Sequence, residues 1–264
     1  MSSVLVFEPG GYAFQRGGVP YSAGVIAMPG FAIVRTRFMR PLPVNQAFNA
    51  IAGHLKSQGR PLAALCGAEL RSPQPFSLDG FREFNAGYVS VLENWGLYKD
   101  GINPVARSNV CPAFDAPAEP CFHAFSYTVP VGNAAGAPAS ASASAAAPRT
   151  FVIAGSGEWP EDQPFPESIV ARGDVSAQGM ARKVEYVLRT MRERAAALNA
   201  DWSMITATQV YTVHDFHGLL ATHFAVAGVT SGGLTWHVCR PPILELEFEM
   251  DLRSVATERM LLVR

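Results

Sequence analysis

From Ile243 to Leu252 the chain reads ILELEFEMDL, so Glu245, Glu247, Glu249 and Asp251 alternate with Leu244, Leu246, Phe248 and Met250. A period of two predicts a strand that carries all four carboxylates on one face. Crowded like charges raise one another's pKa values, which suits a carboxylate that takes a proton from water and returns it to a leaving amine. The same alternation describes an ordinary half-exposed strand with a solvated acidic face. Glu245 stands open between these two readings, whereas Glu249 and Asp251 read as the solvated part. His123, with Phe122 and Phe125 beside it, is either a hydrogen-bonded core residue or a proton carrier, because its ordinary pKa lies near neutrality. His214, His217 and His223 do not have the spacing of a helical or finger-type zinc site, and no metal is expected. Cys239, in the Trp236–Pro242 stretch, has no fixed His/Asp arrangement and reads as buried. The glycines of 228–233 mark turns, and no phosphate-cradling motif follows a strand, so no cofactor is expected.

The elements that must position these residues fall into two series. In the first half, Val25–Met39 reads as a strand and Val44–Gln58 as a helix with Ala47, Ile51 and Leu55 at helical spacing. Pro61–Leu70 follows as a strand, Ser77–Trp95 as a helix, then Ala106–Ala113 and Cys121–Val129 as strands. The second half begins with strands at Thr150–Gly155 and Ile169–Arg172. Ala177–Leu198 reads as a long amphipathic helix and Met204–His214 as a strand. A shorter helix at Phe216–Ala227 leads to strands at Leu234–Cys239 and Ile243–Leu252. Between the halves, residues 132–148 contain only Gly, Asn, Ala, Ser and Pro, which cannot fill a core and reads as a linker or long loop. The expected organisation is therefore one unit over 1–131, a linker over 132–148 and a second unit over 149–264, tandem copies of one α+β design.

Composition narrows the function. The 264 residues are 48% hydrophobic and 16% charged, with a formal charge of −1, so no basic face speaks for nucleic acid. No apolar run reaches the roughly 20 residues of a membrane helix, and the apolar run before Glu8 is too short for a signal peptide. The four cysteines show neither zinc nor disulfide spacing, which predicts reduced thiols in a cytoplasm.

Phe84-Asn85-x-x-Tyr88 late in a helix, followed by Asn103-Pro104-Val105-Ala106-Arg107-Ser108 opening a strand, resembles the Rid/YjgF family of reactive-intermediate deaminases. Gly10-Gly11-Tyr12 resembles that family's N-terminal Gly-Pro-Tyr. Val152-Ile153-Ala154-Gly155-Ser156-Gly157-Glu158 resembles its Ser-Gly-Gln strand, and Leu244-Glu245-Leu246-Glu247-Phe248 its acidic final strand. The resemblance implies α+β units of the chorismate mutase-like kind, each a mixed sheet backed by two helices, in a homotrimer with ligand sites between units. It also implies that Arg107 holds a substrate carboxylate, for which the planar guanidinium fork is suited. Tyr12, Asn85 and Tyr88 would bind substrate beside it. Copy one lacks the acidic residue on its final strand, showing Phe122 or His123 there, and copy two lacks the Arg-Ser pair. Water activation then falls to His123 or, across a cleft, to Glu245, and Arg240 can act as a second carboxylate clamp.

The function implied is a cofactor-free hydrolase acting on a C–N bond, which deaminates a small carboxylated enamine or imine and releases ammonia. Within the family, the deaminases of 2-aminomuconate in aromatic catabolism take a dicarboxylate, which two arginines would match. The uneven divergence of the copies also allows a non-catalytic metabolite-binding regulator on the same scaffold, and a chorismatase-like enzyme is the third reading.

Overall fold

The computed structural model describes residues 4–18, 20–131 and 149–263. The expected linker, 132–148, lies outside the described residues. In chain order the elements are β1 (Val4–Phe7), β2 (Tyr12–Gln15), β3 (Gly24–Ala27), β4 (Phe31–Pro43), α1 (Val44–Ser57), β5 (Leu65–Arg71), α2 (Leu78–Asn94), β6 (Ala106–Pro112), β7 (Cys121–Pro130), β8 (Phe151–Gly157), α3 (Ala177–Ala197), β9 (Ala207–Thr212), α4 (Ala225–Ala227), β10 (Leu234–Arg240), β11 (Glu249–Ser254) and β12 (Thr257–Leu261).

The strands of the first half lie in the order β6-β5-β7-β4 and those of the second in the order β10-β9-β11-β8. In both, the first pair is parallel and the other two are antiparallel. The chain is therefore α+β, with two tandem units of one topology. The units meet where β6 and β10 pair antiparallel, Cys111 with Arg240 and Pro112 with Cys239. Each half also lends end strands to the other's sheet: β3 joins β8, with β2 and β1 beyond it, and β12 joins β4.

Local sequence explains the helices. In α1 the buried Ala47, Phe48, Ile51 and Leu55 form one stripe against the first unit's core, the spacing an amphipathic helix requires. Ile51 is fully buried, so Ile51→Ala removes packing worth about 2–5 kcal/mol. Ser77 caps α2 by accepting from the Gly80 amide at 3.1 Å, and Ser176 does the same for α3 from Gly179. Such caps satisfy amides that the first helical turn leaves open. On α3, Met180, Val184, Val187, Leu188 and Met191 bury into the second unit's core.

Several expected elements differ. The strand expected over Val25–Met39 is broken at Met28-Pro29-Gly30, where Gly30 has φ 84°, and this turn passes the chain from the β8 sheet edge to the β7 edge. Ile169–Arg172 is a turn, with Ala171 and Gly173 at positive φ. Phe216–Ala227 is a 3₁₀ turn, a π turn and the short α4. The final acidic strand begins only at Glu249. Before it, Leu244 donates its amide to Phe76 O, and the Glu247 and Phe248 amides go to the Glu158 carboxylate. Those backbone groups are therefore taken before a ladder can claim them, and Glu245 sits at φ 74° outside any strand.

Candidate active site

Arg107 and Asn109 lie two apart on β6, so their side chains leave the same face. Around that face the first unit's α2, the Pro20–Tyr21 loop, and the second unit's β8 and β11 enclose a pocket of about 790 Å³. Its lining includes Tyr21, Phe81, Asn85, Gly155, Trp159 and Glu249. The loop is tied to β6 by backbone and side-chain bonds. Ser22 donates its amide to Val105 O at 2.9 Å, and Asn103 Nδ2 donates to Pro20 O at 2.9 Å. Asn103 Oδ1 in turn accepts from the Val105 amide. Tyr21 is thereby held over Arg107 and donates its hydroxyl to Glu161 at 3.1 Å.

Arg107 is 3% exposed. Three rings surround its guanidinium, with centroids at 4.9 Å for Tyr88, 5.1 Å for Tyr21 and 5.5 Å for Phe81. Cation–π contacts of this kind attract the charge without taking its hydrogen-bond donors. Among the described residues Nη1 and Nη2 have no hydrogen-bond partner. Burial lowers the pKa of the group, opposed by the tyrosines and by Glu249, and an arginine keeps its charge throughout the working pH range. A buried, charged, unpaired fork of this kind is a seat for an anion.

Glu249, at the start of β11, faces the pocket from the second unit and is 4% exposed. Burial first, and the neighbouring Asp251 second, hold its carboxyl well above the usual range, although Arg107 acts in the opposite direction. Gly155 leaves room for it, because a Cβ there would collide with Glu249 Oε1. Its strand position is fixed by a fully buried ion pair. Lys183 Nζ donates to Glu158 at 3.1 Å, while Glu158 accepts from the Glu247 and Phe248 amides at 2.7 and 3.1 Å.

Arg107 and Asn85 thus line one pocket, and the Tyr88 ring lies against Arg107. The other candidates lie elsewhere. Tyr12 is in the core, donating its hydroxyl to Leu65 O at 2.8 Å. His123 stands edge-on to His237 in a separate polar cluster, where burial and the Arg71 charge push its pKa down to about 3. Glu245 is exposed and pairs with Arg172 at 2.5 Å. Arg240 is half exposed, 3.9 Å from Glu247, and does not line the pocket. Among the described residues three carboxylates line the Arg107 cleft: Glu93, Glu161, which accepts from Tyr21 and pairs with Arg194, and Glu249, which is the buried one brought by the second unit's acidic strand. The signal in the sequence was Gly155-Ser156-Gly157, whose bare first residue leaves the space that a buried carboxyl on the paired strand needs. Among the described residues no group of three or more His, Cys, Asp and Glu side chains is disposed to hold a metal ion.

The sequence profile described as 2-aminomuconate deaminase CnbZ matches residues 4–259. The chain belongs to this 2-aminomuconate deaminase family. The 2-amino-5-chloromuconate deaminase of Comamonas testosteroni is 44% identical over 262 residues, 99% of this chain and 100% of that protein. Among solved structures, a chorismatase matches at 12% identity and TM-score 0.44, over 96% of this chain and 79% of its own. The YjgF protein of E. coli matches at 16% identity and TM-score 0.29, over 40% and 80%. In this member of the 2-aminomuconate deaminase family, both halves of the chain contribute to a single cleft. One brings a guanidinium whose Nη atoms lack hydrogen-bond partners among the described residues, and the other a carboxyl whose pKa burial raises.

Proposed function

We propose that the Arg107–Glu249 cleft hydrolyses the C–N bond of a carboxylated enamine, 2-aminomuconate or a ring-cleavage relative of it bearing chlorine, and releases ammonia. The observation that carries this is the orphaned Arg107 fork facing the buried Glu249 carboxyl across one pocket. Family membership and the name of the Comamonas relative support the substrate. Arg107 takes a substrate carboxylate bidentately. Glu249 gives its proton to the enamine carbon, leaving an iminium and a carboxylate. That carboxylate removes a proton from water as its oxygen bonds to the iminium carbon. The same proton passes to the carbinolamine nitrogen, the C–N bond breaks with its electrons on nitrogen, and the hydroxyl returns its proton to the Glu249 carboxylate as it closes to a carbonyl and ammonia leaves. Asn85 Oδ1, buried and unpartnered among the described residues, suits the N–H of the amine. Phe81, Ile243 and Leu246 form an apolar wall with Trp159 at its edge, suited to the diene and to a chlorine substituent.

Three wider readings belong to the same proposal. Four buried free cysteines suit a reducing cytoplasm. The assembly is a homotrimer, since closed symmetry favours three two-unit chains if three-unit rings are kept, and light scattering of the purified protein reads this directly. The substrate is a small acid, with neither nucleic acid nor membrane as partner; no helix among the described residues is long and apolar enough to cross a membrane. The deciding experiment is ammonia release from freshly generated 2-aminomuconate and 2-amino-5-chloromuconate. Release with both or either supports the reading, and absence with both overturns it.

A further inference from the structure

Asn109 offers the pocket a donor that the hydrolytic scheme does not use. It is 3% exposed and lines the pocket on the same strand face as Arg107. Its Oδ1 accepts from Ser72 Oγ at 3.0 Å, and Ser72 is itself fully buried, with its amide bonded to Val110 O at 2.9 Å. The amide oxygen is thus committed towards β5, which leaves the NH₂ as the group available to the cavity. Among the described residues Nδ2 has no partner. A buried donor left open is costly, and a leucine would occupy the position without that cost. Arg107 and Asn109 therefore present donors together. Donors without acceptors call for a ligand atom rich in lone pairs, which a carboxylate oxygen is and an ammonium is not.

We propose that Asn109 is a substrate-binding residue that donates Nδ2–H to the carboxylate seated at Arg107, and that Ser72 is a positioning residue that locks the amide in the donating orientation. This rests on the pocket being the site of a carboxylated enamine. The test uses two readouts on the full chain. One is calorimetric binding of hexa-2,4-dienedioate, which has the carboxylates and no amine; the other is KM and kcat with 2-aminomuconate. Asn109→Leu is expected to weaken binding and raise KM by about 10- to 100-fold, the loss of one hydrogen bond to a charged group, with a smaller change in kcat. Asn109→Asp is expected to weaken both further by like-charge repulsion. Ser72→Ala is expected to raise KM less, and Ser72→Thr, which keeps the hydroxyl, to restore it. Should Arg107→Lys lose affinity while Asn109→Leu and Asn109→Asp bind as wild type does, the inference is overturned and the pocket reading stands. If the wild-type protein neither binds the dienedioate nor turns over 2-aminomuconate, the pocket reading itself fails.

Discussion

Arg35 and Arg107 are equally deep in the molecule, 4% and 3% exposed, yet they are treated in opposite ways. Arg35, on β4, meets Glu69 of β5 with two parallel bonds, Nε to Oε1 at 2.5 Å and Nη2 to Oε2 at 2.7 Å, and reaches Glu258 at 3.3 Å. Burial alone would raise the Glu69 pKa, but the charge and hydrogen bonds of Arg35 outweigh it and hold that carboxyl well below its usual range. Arg107 has aromatic rings where Arg35 has a carboxylate, and burial pushes the pKa of Glu249, an acid that faces it, upward. The first pair is closed and has nothing left to offer a ligand. The second is kept open, which costs stability and leaves both groups free to act on a substrate. Burial of charge is common to both sites, and the state of its hydrogen bonds separates architecture from function.

The largest effect expected is on Glu249. Glu249→Gln removes the proton donor and should reduce turnover about 10²–10⁴-fold, measured as ammonia release. Stability should move the other way. Above the ordinary carboxylate pKa of 4.5 an unfolded Glu249 ionises, while burial raises the native group's pKa well above that value, so it holds its proton to higher pH. The native state then binds more protons, so folding stability falls as pH rises. Glutamine has no such linkage, and the variant's melting temperature should gain on that of wild type as pH rises from 5 to 8. The same protonation makes wild-type turnover decline on the alkaline side of its profile. A variant that lost both activity and stability would make Glu249 another member of the closed kind.

Arg35→Met tests the other side of the comparison. It leaves Glu69 buried without its main partner, a change that typically costs about 3–5 kcal/mol, read by urea unfolding. Arg107→Lys is expected to do less to folding and more to substrate. It keeps a charge but loses the planar fork, a loss of about 1.5–3 kcal/mol in kcat/KM if one charge-assisted hydrogen bond goes. If Arg107→Lys unfolds the protein as readily as Arg35→Met does, the two sites are not different in kind.

Much of this design was legible in the sequence. The tandem α+β order and the three long helices follow from periodicity, and the association of Arg107 with Asn85 and Tyr88 is what the resemblance of the Asn-x-x-Tyr and Ala-Arg-Ser stretches to the Rid/YjgF family implies. What escaped depended on long-range partners. β3 and β12 are short strands whose pairing with the opposite half has no local signature. The alternation around Glu245 has the period of a strand, but Phe76 and the Glu158 carboxylate take backbone groups on which a ladder would depend. Glu249 looked like one more solvated acid because only the packed β8, with Gly155 against its carboxyl, shows that it is buried. His123 has the right chemistry in the wrong place: it faces the Arg71 and His237 cluster rather than the cleft.

The smallest expected effect sharpens the comparison most cheaply. Glu245 has the residue type and the sequence context of an acid/base group, but it lies at the surface, its side chain 42% exposed against an Arg172 side chain that is 46% exposed. Exposed pairs contribute about 0–1 kcal/mol because water screens the charges and two long side chains must be ordered to meet. Glu245→Gln should therefore leave kcat and KM at wild-type values and shift stability by no more than about 1 kcal/mol, a change that salt masks. Set beside Glu249→Gln, it compares two glutamates four residues apart whose chemistry is identical in the unfolded chain. A large rate loss in Glu245→Gln would return the acidic role to the surface segment and take it from the buried strand. Unchanged kinetics there, with collapse in Glu249→Gln, would tie the rate to the cleft alone.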